Sequence, residues 1–148
     1  MSKIISYKGQ LPIGLEERIK LSTIKGKVGY KINKFELISS TPGAADSEFV
    51  GKITRVKDPN IGPTVNFTDA DLLAVNYTAF AQVYNTPVAQ QIIILDNEKF
   101  NQDIFVNITD ASSNTVPCNY YIELETIDLS DLETTMMTLQ SIRSITSR

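Results

Sequence analysis

The segment Cys118-Asn119-Tyr120-Tyr121-Ile122-Glu123-Leu124-Glu125 alternates with period two over its whole length. Successive side chains of a strand point to opposite faces. The stretch therefore predicts a half-buried strand, with Cys118, Tyr120, Ile122 and Leu124 inward and Asn119, Tyr121, Glu123 and Glu125 outward. Isoleucine (18), threonine (14) and valine (9) together exceed a quarter of the 148 residues. Such β-branched side chains suit a pleated surface.

The same period recurs in residues 18–22 and 28–32, where Val28, Tyr30 and Ile32 share a side, and Lys25-Gly26-Lys27 between them reads as a hairpin turn. Residues 49–56, 65–67, 77–84 and 104–109 are further strand segments, and the apolar run 91–95 reads as a strand buried on both faces. Pro- and Gly-bearing stretches at 39–43 and 58–63 break the pattern. Thr68, as a cap, with Asp69 and Asp71 in the first turn, predicts a short helix over 68–74.

The period changes at the C-terminal end. Ser130-Asp131-Leu132-Glu133 is a capping box, and Leu132, Met136, Leu139 and Arg143 fall on one face of a helix over 131–144. The pattern as a whole predicts one domain over 1–148. It is all-β: an antiparallel β-sandwich, jelly-roll-like, with a short inserted helix and a C-terminal helix. Residues 1–13 can form an extended N-terminal arm.

The chemistry open to the chain is narrow. Histidine is absent and Cys118 is the one cysteine. A Ser-His-Asp triad, a Cys-His dyad, a His-ligated metal and an internal disulfide are excluded. Gly26-Lys27-Val28-Gly29 lacks the spacing of a phosphate loop. The acids at Asp69/Asp71 and at Asp96, Glu98 and Asp103 lack EF-hand spacing and read as turns and caps. Glu123 and Glu125 stand about 7 Å apart on one strand face, as any half-exposed strand allows. Asn66, Asn76 and Asn107 each open an Asn-x-Ser/Thr pattern. Tyr77, Phe80 and Tyr84 are candidates for a sugar-stacking platform. No catalytic residue, cofactor or metal is expected, and the chain is not expected to be an enzyme.

A net charge of −3 gives no reason to expect a nucleic-acid partner. No apolar run approaches the ~20 residues of a membrane span, so no membrane partner is expected. The N-terminus has no signal-peptide pattern, and synthesis in a cytoplasm is expected. The charge is unevenly placed. Residues 1–57 carry eleven Lys/Arg against five acids, net +6, and residues 58–148 carry three against twelve, net −9. Either neighbouring strands mix these charges or the molecule has a basic and an acidic face.

Residues 7–14 (YKGQLPIG), 18–32, 65–74 (VNFTDADLLA), 95–106 (LDNEKFNQDIFV) and 118–125 together resemble small virion proteins of marine tailed bacteriophages that infect cyanobacteria and abundant ocean bacteria. The resemblance spans nearly the whole chain and implies a particle component made in the host cytoplasm and residing in the virion. Its words are not a catalytic signature. The expectation is a non-enzymatic viral structural protein, a capsid decoration or cement protein or another head or tail appendage. Its partners would be other virion proteins and further copies of itself. The alternative is a carbohydrate- or receptor-binding β-sandwich module. Candidate partner-binding residues are Lys3, Ile5 and Tyr7 near the N-terminus, Tyr121 on the alternating strand, and Leu132, Met136 and Leu139 on the terminal helix.

Overall fold

The computed structural model describes residues 2–23, 26–42, 46–80, 89–95, 99–112 and 116–147. Eight strands precede one helix: β1 (Lys3–Leu11), β2 (Glu16–Ile19), β3 (Val28–Ser39), β4 (Ser47–Thr54), β5 (Leu72–Phe80), β6 (Ala89–Ile94), β7 (Ile104–Asp110), β8 (Cys118–Asp128) and α1 (Asp131–Ser147). They form two antiparallel sheets, β1-β8-β3 and β2-β7-β4-β5-β6, stacked as a β-sandwich.

Strand β8 behaves as its alternation requires. Cys118, Tyr120, Ile122 and Leu124 are buried, whereas Tyr121 is exposed and Asn119, Glu123 and Glu125 are half-buried on the outer face. Strand β3 alternates likewise until a bulge at Asn33 shifts its register. The inward set therefore passes from Tyr30 and Ile32 to Phe35 and Leu37. Their partners across the core are Phe49 and Ile53 of β4 and Ile104, Val106 and Ile108 of β7. The sheets approach closely at Gly51, where a Cβ would sit 2.9 Å from both Leu37 and Phe35 side chains. Tyr120 spans the gap at one margin: its hydroxyl donates to Glu17 Oε2 at 2.8 Å.

Five expectations are corrected. Residues 18–22 and 28–32 are not a hairpin, because β2 belongs to one sheet and β3 to the other. The link instead turns at Gly26 (φ 63°), whose amide donates to Thr23, while Lys25 lies outside the described residues. The inserted helix is absent. Asn66 Oδ1 accepts from the Thr68 amide and Asp69 Oδ1 from the Asp71 amide, so side chains close turns where helical bonds would begin. From Leu72 the chain is strand, and residues 65–67 are not. Strand β6 lies at the edge of its sheet with Ile92, Ile93 and Ile94 only half-buried. Finally, the first residues are not a free arm: β1 pairs with β8 from Lys3↔Thr126 to Leu11↔Cys118.

The uneven charge is mixed by this topology. The ion pairs Arg18–Asp103, Lys27–Asp131, Lys31–Glu125 and Lys52–Asp58 each join a residue of the basic first part to an acid of the second.

Ile122 lies in register between Tyr7 and Phe35 and is fully buried. Replacing it by Ala should cost about 2–5 kcal/mol, read as a fall in the denaturation midpoint. Tyr121→Ala, one residue on, should leave the midpoint nearly unchanged.

Candidate functional site

Two places on the sandwich hold side chains in arrangements that ordinary packing does not require: the terminal helix and the outer face of the five-stranded sheet.

Helix α1 opens as the capping box predicts. The Glu133 amide donates to Ser130 Oγ at 3.2 Å, and the Ser130 amide donates to Glu133 Oε1 at 3.4 Å. The helix runs three residues beyond the expected end. It meets the sandwich through Thr134, Thr138 and the buried Ser141, and Asn101 Nδ2 donates to Thr138 Oγ1 at 3.1 Å. A helix turns about 100° per residue. Leu132, Met136 and Leu139 therefore fall on the far side from Thr134, Thr138 and Ser141. Their exposures are 70%, 61% and 47%. The spacing of four and three is that of a coiled-coil seam. The helix thus rests on its own domain by a small polar face and shows its apolar stripe to solvent.

The N-terminal candidates divide. Ile5 and Tyr7 are half-buried and pack against the core. Lys3 is exposed, and its amide donates to Thr126 Oγ1. Tyr121 stands between Lys8 and Glu36 in the cross-strand row, beside a groove of about 750 Å³ that also touches Ile38 and Asn119. The candidate stacking aromatics Tyr77 and Phe80 do not share a face. Tyr77 and Phe80, three residues apart on one strand, point to opposite faces, and Tyr84 lies outside the described residues.

Asp103, read from sequence as a loop acid, is a buried clamp. It accepts from the amides of Leu21 (2.7 Å) and Ser22 (2.8 Å) and from Arg18 Nε (2.6 Å). Burial raises its pKa, but the Ser22 and Leu21 amides and Arg18 outweigh that and hold the carboxyl below its usual range. Asp96 and Glu98 lie outside the described residues. Among the described residues no three His, Cys, Asp or Glu stand close enough to hold a metal ion. No described helix is long and apolar enough to cross a membrane. Cys118 is buried, and desolvation pushes its thiol up to about 12. Asn76 and Asn107 are fully buried, so neither can be reached as a glycan acceptor as folded, and Asn66 is exposed.

The second place was not visible in the sequence. Glu16, Asn107 and Lys52 are register partners on the adjacent strands β2, β7 and β4. They share the face turned away from the three-stranded sheet, since Gly51 and Ile53 take the inner face. The chain from 55 to 71 crosses over them. Lys52 Nζ donates to the Thr64 carbonyl at 3.2 Å and lies 3.5 Å from Asp58 Oδ2. Asn107 Nδ2 donates to that same Asp58 oxygen at 3.4 Å, and the Asp58 amide donates to Glu16 Oε2 at 2.9 Å. Lys52 is 6% exposed and Asn107 fully buried, and Asn107 Oδ1 has no hydrogen-bond partner among the described residues. Burial raises the pKa of Glu16, helped by the nearby Asp58 charge and opposed by the Asp58 amide. Asp58 also lines a cleft of about 800 Å³ beneath α1, together with Arg18, Phe105, Ser141 and Ile142. A Lys between the apolar Val50 and Ile53 and an Asn in an alternating strand were the only signals, and both are common.

No protein family, curated protein or solved structure matches the chain.

Asp103→Asn should destabilise the protein by about 1.5–3 kcal/mol at pH 7, since it weakens bonds to a charged group. A depressed carboxyl contributes its full stability above the ordinary aspartate value near 4 and loses it as pH falls through the lower folded value. The gap between wild type and Asp103→Asn should therefore narrow in unfolding curves taken at progressively lower pH below 4.

Proposed function

We propose that the chain is a non-enzymatic structural protein of a virus particle, a capsid decoration or cement protein or another head or tail appendage. It acts through lattice binding or self-association, and its terminal helix is the docking element. The observation that carries this reading is the stripe of Leu132, Met136 and Leu139, held outward by a helix whose opposite face already rests on the domain. Leaving such side chains in water forgoes burial worth about 1.5–3 kcal/mol each. A partner surface recovers it, and methionine adapts to irregular surfaces.

The resemblance to marine phage virion proteins supports the particle setting, with synthesis in the host cytoplasm. The strand orders 1-8-3 and 2-7-4-5 support reading the sandwich as a jelly roll whose sixth strand pairs with β5 while lying beside β3. The groove beside Tyr121 favours a second reading, a carbohydrate- or receptor-binding module. Its one exposed aromatic offers a single stacking surface there.

Because β1 is part of the sheet, removing residues 1–12 should unfold the protein rather than free it from an assembly. The discriminating variant is Leu132→Ser, Met136→Ser and Leu139→Ser together. Its melting temperature should match wild type, while electron microscopy of particles assembled with it should lack the protein. Normal decoration by this variant would remove the helix from the reading. Binding of wild type to a glycan array through Tyr121 would favour the second one.

A further inference from the structure

A lysine ammonium inside a protein is costly unless paired, and a buried ion pair seldom stabilises more than apolar residues of the same size would. Lys52 is nevertheless buried, and its neighbours are the groups that amide chemistry needs. The amine and the Asn107 carboxamide are a cross-strand pair on one face, which places their Cβ atoms about 4.5–5.5 Å apart. Their side-chain nitrogens contact the same oxygen of Asp58. Glu16 flanks Asn107 on its other side, and among the described residues Asn107 Oδ1 has no donor.

We propose that Lys52 and Asn107 join in an intramolecular isopeptide bond, formed by the folded chain on itself with Asp58 and Glu16 as the proton-transferring groups. Asp58 takes one proton from the Lys52 ammonium. The freed lone pair on Nζ attacks Asn107 Cγ, and the carbonyl π electrons move onto Oδ1, which Glu16 in its acid form protonates. As the tetrahedral centre collapses, the Oδ1 proton returns to Glu16 and the Cγ–Nδ2 bond breaks. Nδ2 takes up the second Nζ proton and the one held by Asp58, and leaves as ammonium. One ammonium ion and one secondary amide replace one Lys ammonium and one carboxamide, so atoms and charge balance and no oxidant is needed. Burial of Glu16 favours the acid form that this step uses. The cleft bordered by Asp58 gives the ammonium a way out. Exclusion of water by the 55–71 crossing protects the acyl centre from hydrolysis, which would give Asp in place of Asn.

The bond would tie β4 to β7, two interior strands of the five-stranded sheet. Like a disulfide, it would restrict the unfolded chain across a long loop, without depending on redox conditions. It stands whether or not the protein belongs to a particle.

The test is the intact mass of purified full-length protein, followed by peptide mapping of a tryptic digest. The expected mass falls short of the sequence by one ammonia, trypsin does not cut after residue 52, and one branched peptide contains both Lys52 and Asn107. Lys52→Arg, which keeps the charge, and Asn107→Ala should each carry their full mass. Asp58→Ala should keep its full mass or lose ammonia more slowly. Wild type at full mass, with separate unmodified peptides for both residues after incubation between pH 5 and 8, overturns the proposal. So does a Lys52→Arg variant that still lacks one ammonia.

Discussion

A slip of one residue in β8 would turn Cys118, Tyr120, Ile122 and Leu124 to solvent and bring Asn119, Tyr121, Glu123 and Glu125 against the opposing sheet. No other strand carries so much register information, and β8 is the strand on which both neighbours hang. β1 reads it from Lys3 to Leu11 and β3 from Val28 to Ser39. Once β8 is set, the bulge at Asn33 follows as the adjustment that lets a twelve-residue β3 keep Phe35 and Leu37 on the core side. Tyr120 then reaches Glu17, and Tyr30, stacked on Phe100 at 6.0 Å, donates to the Leu21 carbonyl, tying the two sheets along their margins.

The same topology decides the electrostatics. β8 of the acidic second part lies between β1 and β3 of the basic first part, β7 lies between β2 and β4, and four ion pairs join the two parts. The apolar helix stripe is the contact candidate whose exposure is seen directly. Around Lys52 and Asn107 the five-stranded sheet is covered on both faces, by the other sheet on one side and the 55–71 crossing on the other. That double cover explains why β4 reads as almost wholly buried and yet contains Lys52.

Where one physical signal dominated, the sequence was a good guide. Period two located β3, β7 and β8, and the capping box located the start of α1 to the residue. It failed where two signals competed. Thr68, Asp69 and Asp71 favour helix caps and Asx turns alike, and the β-rich tract from Leu72 onward, which pairs with β4, settled the matter for a turn. Arg18 to Ile32 carried two strands and a glycine turn, but a turn does not specify whether its strands share a sheet. The row of Glu16, Asn107 and Lys52 was illegible because its members are separated by 36 and 55 positions and only register brings them together. The helix stripe was seen at once; that it faces solvent depended on Thr134, Thr138 and Ser141 being the face that docks, which no hydrophobicity pattern would select.

The account rests on a self-sufficient sandwich with an outboard helix, and amide hydrogen exchange of the isolated protein tests that most directly. Local opening should set the rates. The amides of β4, β7 and β8 should be the slowest, and those of α1 should exchange much faster, since one narrow polar face holds the helix in place. If α1 is as protected as β8 in the isolated protein at low concentration, the helix belongs to the core, its apolar stripe is covered, and the account is wrong.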